Sequence, residues 1–68
     1  MIMTRVVSSN LVAVGYDHAT QTLRIQFHNG TYDYFGVPET VYNNLMNATS
    51  KGEYHAARIK NSYRYQRL

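Results

Sequence analysis

Asn29-Gly30 lies between two runs that alternate apolar and polar residues, and that combination leaves few folds open to the chain. Both residues tolerate φ > 0, so the pair is a strong short-range hairpin signal, and Thr22 to His28 and Thr31 to Phe35 keep the period of two that strands require. A two-residue loop at Asn29-Gly30 sets His28 opposite Thr31, Phe27 opposite Tyr32, Gln26 opposite Asp33 and Ile25 opposite Tyr34. Leu11 to Asp17 alternates as well. A four-residue loop at His18-Ala19-Thr20-Gln21 sets Tyr16 opposite Leu23, Val14 opposite Ile25 and Val12 opposite Phe27. Both turns gather Val12, Val14, Tyr16, Leu23, Ile25, Phe27, Tyr32 and Tyr34 on one side, whereas a one-residue slip would turn half of them to water. The reverse side carries Arg24, Gln26, His28, Thr31 and Asp33, with Phe35 the exception.

Val37-Pro38 ends this meander and predicts a helix with proline at its first position, where the missing donor is no loss. Val41, Leu45 and Ala48 then form a helical stripe flanked by Tyr42, while Asn43, Asn44 and Asn47 point away. That stripe is expected to cover the apolar side of the sheet. Ser50 and Glu53 have the spacing of a capping box, with hydroxyl and carboxylate each meeting a free backbone donor. A short second helix therefore starts there and ends near Ile59. Tyr63 to Arg67 alternates again and is expected to add an edge strand, with Tyr63 and Tyr65 on one side and Arg64 on the other. The fold class is α+β: an antiparallel β-meander of three to four strands packed against one or two short helices. Residues 1–68 form one domain, and residues 1–7 are read as a flexible segment or a short edge strand.

Charge is segregated along the chain. Residues 51–68 hold five cations, Lys51, Arg58, Lys60, Arg64 and Arg67, against Glu53. The first 50 residues hold Arg5 and Arg24 against Asp17, Asp33 and Glu39, which leaves the net charge at +3. Cations interleaved with Tyr54, Tyr63 and Tyr65 are the composition that phosphates and unstacked bases select. Arginine both pairs with phosphate bidentately and stacks on bases, so this segment fits nucleic acid better than a solubility surface would require. A charged edge strand that deters edge-to-edge association is the competing explanation for Arg64 and Arg67.

Other chemistry is poorly supported by the residues. At 68 residues the chain buries only about 60% of the surface its unfolded form exposes, too little for a deep catalytic cleft. The absence of cysteine removes disulfides and thiolate metal sites and suits a reducing cytoplasm. The N-terminus shows no charged leader before a long apolar run, and Leu11 to Val14 is too short to span a bilayer, so a cytoplasmic protein with no membrane partner is expected. His18 and His28 fall at opposite ends of one strand about 20 Å long, beyond a shared coordination sphere, and no metal or other cofactor is expected. His55 falls between Tyr54 and Arg58, free to stack on a base but expected to face solvent. No nucleophile is paired with a base, and no phosphate loop or HExxH pattern occurs, so no catalytic residue is assigned. Tyr32 and Tyr34 are a stacking platform or core, and the register favours core.

Ser8-Ser9-Asn10, Val14-Gly15-Tyr16-Asp17, Leu23-Arg24-Ile25-Gln26-Phe27, Gly30, Tyr32-Asp33-Tyr34-Phe35-Gly36-Val37-Pro38, Ser50-Lys51-Gly52 and the closing Tyr63-Arg64-Tyr65-Gln66-Arg67-Leu68 occur in that order. From Ser8 onward the chain resembles the KTSC domain, a family named after a C-terminal appendage of some lysyl-tRNA synthetases. The resemblance implies contact with RNA or a ribonucleoprotein and, from stand-alone members in phages and prophages, a host-directed binding role. By position it makes Lys51, Arg64 and Arg67 contact residues. Where the family pattern has an aromatic pair after Ser-Lys-Gly, this chain has Tyr54, His55 and Ala56, so a second aromatic anchor is lost there.

Two functions follow as expectations. The first is a small non-enzymatic module contacting RNA, DNA or a ribonucleoprotein, with Lys51, Arg58, Lys60, Arg64 and Arg67 on phosphates and Tyr63, Tyr65 or His55 for stacking. The alternative is a phage-type adaptor or inhibitor docking on a host protein. A homo-oligomer along an exposed edge strand is compatible with either.

Overall fold

In the computed structural model, which describes residues 1–68, the central hairpin turns one residue earlier than the Asn-Gly signal predicts. Strands β1 (Met3–Arg5), β2 (Leu11–Asp17), β3 (Thr22–Phe27), β4 (Gly30–Tyr34) and β5 (Tyr65–Arg67) form one antiparallel sheet in sequence order. His28 and Asn29 make the β3–β4 turn, so Phe27 faces Gly30, Ile25 faces Tyr32 and Leu23 faces Tyr34. The expected pairs are thus two residues out of register. The reason is that Gly30 alone supplies the unusual backbone, at φ +150°, as the first residue of β4 and not as part of the loop. Because the shift is even, every side chain keeps its face.

The β2–β3 turn matches its prediction, with Tyr16 opposite Leu23 and Val14 opposite Ile25. Asp17 accepts a hydrogen bond from the Ala19 amide at 3.0 Å, and Gln21 takes a left-handed φ of 54° to complete the loop. The expected Val12–Phe27 pair is absent. A bulge between Leu11 and Ala13 sets Leu11 opposite Phe27 instead and buries it, leaving Val12 half-buried.

Helix α1 (Glu39–Asn47) begins one residue after the expected start: Pro38, at ψ 151°, is the N-cap, and its carbonyl accepts from Val41 and Tyr42. Leu45 is buried, Val41, Tyr42 and Met46 pack at the edge of the core, and Ala48 lies just past the helix as its C-cap. The Tyr16 hydroxyl donates to the Val37 carbonyl at 2.5 Å while its ring stacks on Tyr42 at 4.9 Å, which ties β2 to the start of α1. Helix α2 (Lys51–Tyr54) is capped by the Ser50 hydroxyl, which accepts from the Glu53 amide at 3.3 Å. The return bond from the Glu53 carboxylate does not form, so only half of the capping box is present. A π-helical turn, His55–Ile59, continues α2, with the Lys60 amide donating to the His55 carbonyl, and it ends at Ile59 as expected.

Leu11, Val14, Leu23, Ile25, Tyr34, Val37, Leu45 and Ile59 form the core between sheet and helices. On the reverse face Arg24 grips Asp33 with two hydrogen bonds of 2.7 and 2.9 Å, which satisfies a carboxylate on a residue only 7% exposed. Met3 lies over Gly15 on β2, so close that an added Cβ would sit 2.6 Å from its sulfur. The fold is therefore the expected α+β layer with five strands instead of three to four: the predicted C-terminal edge forms over Tyr65–Arg67, and residues 3–5 take the edge-strand option and supply the fifth.

Candidate functional site

The return of the chain as β5 decides which C-terminal residues meet. Tyr65 pairs with Tyr34 and Arg67 with Tyr32, so both project to the helix side, with Gln66 on the reverse. The π turn brings His55 and Lys60 to the same place. Between them opens a groove of about 360 Å³, floored by Phe27, Tyr32 and Tyr34 and bordered by Tyr65 and Lys60.

The groove is an aromatic cluster built by edge contacts. The Phe27 ring meets His55 at 4.9 Å and Tyr32 at 5.7 Å, and Tyr65 lies tilted 6.0 Å from Tyr32 and 5.8 Å from Tyr34. Tyr34 is only 4% exposed, and its hydroxyl shares a hydrogen bond of 2.8 Å with His55 Nε2, the donor being set by the imidazole tautomer. Burial, with Tyr32 and Tyr65 adding to it, pushes the Tyr34 hydroxyl up to about 12, so it stays protonated through the neutral range. Burial also lowers the His55 imidazole, with nearby Lys60 acting in the same direction. The expectation that His55 faces solvent is therefore corrected: the residue is half-buried, with its ring packed against Phe27 and Tyr34.

Arg67 is fixed on three sides. Its guanidinium lies 5.8 Å over the Tyr32 ring, Nη2 donates to the Asn29 carbonyl at 2.6 Å, and its atoms fill the space where a Cβ on Gly30 would stand, 2.8 Å from Nε. Most of its five donors remain free for an incoming group. Lys60 is the second cation at this groove.

The other predicted residues go elsewhere. Lys51 folds onto the Ala48 carbonyl at 3.2 Å, at the end of α1. Arg58 and half-buried Tyr63 line a separate open groove of about 540 Å³ with Val41 and Tyr54. Arg64 joins neither groove; its backbone carbonyl accepts from Phe35. Arg58 and Lys60 thus line different grooves, and Lys51 and Arg64 line neither. Nor do the acids reach the groove beside Lys60 and Arg67. Asp33 is taken by Arg24, Glu39 lies 3.4 Å from His18 Nδ1, Asp17 is engaged in its own turn, and no acid lines the Lys60–Arg67 groove.

Phe27 and Asn29 are groove residues that the linear reading missed as such, and Tyr32, weighed there as a stacking platform but preferred as core, also lines the groove. Tyr34 is core, as the register argued, whereas Tyr32 is half-buried and carries Arg67 on its ring. The alternation of Tyr63 to Arg67, paired in register with β4, is the signal that points to them. His18 and His28 lie in different exposed turns, and no cluster of three His, Cys, Asp or Glu side chains is close enough to hold a metal ion.

A family model of the KTSC domain matches residues 7–63. The chain is 44% identical over 61 residues to a lysine–tRNA ligase of Nostoc sp., an alignment that covers 88% of the chain and 11% of the ligase. It thus spans about a tenth of that protein's length. It is also 40% identical to a protein of Tsukamurella paurometabola, over 91% of the chain and 94% of that protein. A crystal structure of a KTSC domain protein from Yersinia pestis superposes with a TM-score of 0.96 at 38% identity, covering 98% of this chain and 96% of the other. Alike in sequence over most of its length and in the order of its strands, this chain belongs to the KTSC domain family.

Proposed function

We propose that this domain is a small non-enzymatic module that binds single-stranded nucleic acid, RNA in the first instance, through the surface built by its C-terminal segment. The observation that carries this reading is an aromatic groove lined by Lys60 and by no acid, with Arg67 held at its rim on the Tyr32 ring and the Asn29 carbonyl. Cations at fixed positions next to accessible aromatic rings suit a phosphate backbone with unstacked bases. That related sequences occur within lysine–tRNA ligases supports RNA as the polymer. Cytoplasmic residence goes with that reading. Lys51, Arg58 and Arg64, being dispersed, add attraction at longer range and little specificity.

Titration of labelled single-stranded RNA and DNA across a salt series tests the proposal. Two phosphate contacts, at Lys60 and Arg67, give a log–log slope of about −1.4, and engagement of all five cations gives about −3.5. The Lys60→Ala, Arg67→Ala double variant loses most of the affinity, and Arg64→Ala loses little. Undetectable or salt-independent binding would end the proposal. A second reading, a protein-binding adaptor, draws on the sheet itself, in which β1 and β5 are the outermost strands. Retention of a protein partner from nuclease-treated lysate, with no binding to free oligonucleotides, would favour it.

A further inference from the structure

Building on the nucleic-acid reading, we infer that the β4–β5 groove is a subsite for one unpaired nucleotide, its base stacked on Tyr65 and its phosphate held between Arg67 and Lys60. The available faces leave one place for the base. The face of Tyr32 is occupied by the Arg67 guanidinium, Tyr34 is buried, and the Phe27 ring is engaged by Tyr32 and His55. Tyr65 is 58% exposed and only tilted against its neighbours, so it is the ring of this cluster with a face free to stack.

The polar groups are placed to complement that base. Asn29 and Asn61 border the groove, and neither side-chain amide is engaged in a hydrogen bond within the protein. Each offers a donor and an acceptor, as the edge of a base requires. Arg67 is held by Tyr32 and the Asn29 carbonyl before any ligand arrives, which spares the ordering of a long side chain on binding. A volume of about 360 Å³ lies at the small end of ligand pockets, which run from about 300 to 1,000 Å³, and suits one nucleotide better than a longer stretch. A base inside a duplex has no free face, so the subsite selects single strands.

The test separates base from charge. Affinities are measured for an eight-nucleotide DNA single strand, the same strand with every base removed but all phosphates kept, and the corresponding duplex, at one salt concentration. The inference expects the abasic strand to bind about 5- to 150-fold more weakly than the base-bearing one, the range given by stacking on one aromatic ring. Tyr65→Ala removes that difference and Tyr65→Phe keeps it, with the fold of each checked by thermal melting. His55 ring signals in NMR spectra shift with the base-bearing strand and much less with the abasic one. Equal affinity for the two single strands in the wild-type protein would overturn the subsite while leaving the broader reading intact. Failure of every one of these strands, and of the RNA strand of the same sequence, to bind would overturn both.

Discussion

Replacing Tyr34 by phenylalanine removes one oxygen from the centre of the groove and tests whether the sheet and the π turn are joined as described. The hydroxyl is shared with His55 Nε2 at 2.8 Å, on a residue 4% exposed, and the ring itself is core. Phenylalanine keeps the ring packing, so the change isolates the hydrogen bond. A neutral intramolecular hydrogen bond contributes about 0.5–1.5 kcal/mol net. His55 is only half-buried, so water can reach Nε2 once the hydroxyl is gone, and the expected loss is about 1 kcal/mol. For a domain of this size that lowers the melting temperature by about 4–8 °C. Thermal melts of wild type, Tyr34→Phe, His55→Leu and the double variant form a cycle whose coupling energy is expected at about 1 kcal/mol. A Tyr34→Phe protein that melts with the wild type, or a coupling of zero, would refute the idea that this bond ties the π turn to β4.

Three further outcomes follow from the same contacts. Because burial lowers the His55 imidazole in the folded protein, the unfolded chain takes up a proton first as the pH falls through about 6.5, so stability present above that value is lost toward the lower folded value. Melts from pH 7.5 to 5 are expected to show this decline, flattened in His55→Gln; an identical decline in that variant would assign it to other groups. Ile59→Ala empties a fully buried position of the π turn and is expected to cost about 2–5 kcal/mol, a large share of the total for a domain this small, as read by urea titration. A loss under about 1 kcal/mol would mean that the turn does not seal the core. In Gly15→Ala the new Cβ falls 2.6 Å from the Met3 sulfur and 2.9 Å from the Ile2 carbonyl oxygen, so hydrogen exchange should reveal β1 detached while β2 to β4 stay protected. Unchanged protection of Met3–Arg5 would show that the strand can shift to make room.

Much of this architecture is legible in the linear chain because strands and helices have local periods. The alternation of Leu11 to Asp17 and Thr22 to His28 identified two strands, the second one residue too long, and the turn between them, and Ser50 marked the start of α2. Register near Gly30 was less accessible, since the Asn-Gly pair is compatible with more than one loop and the one adopted depends on which residue takes the positive φ. Parity protected the core from that error. The bulge at Leu11 is a similar case: alternation placed Val12 on the apolar side opposite Phe27, and the bulge, which sequence does not signal, puts Leu11 there and in the core instead.

The chemistry of the candidate site divides the same way. A basic, tyrosine-bearing C-terminal segment is a property of composition and order, and by itself it points to polyanions. Which of its cations act together is not a property of order, because residues near in sequence can leave a turn in different directions while distant ones meet across a sheet. Pairing of β5 with β4 sets Arg67 on Tyr32 and Tyr65 beside Tyr34, and the π turn adds His55 and Lys60, whereas Arg58 and Lys51 are carried away by the helical elements. Local chemistry thus determined the elements and the sign of the surface charge, and long-range hydrogen bonding across the sheet decided which side chains share a site.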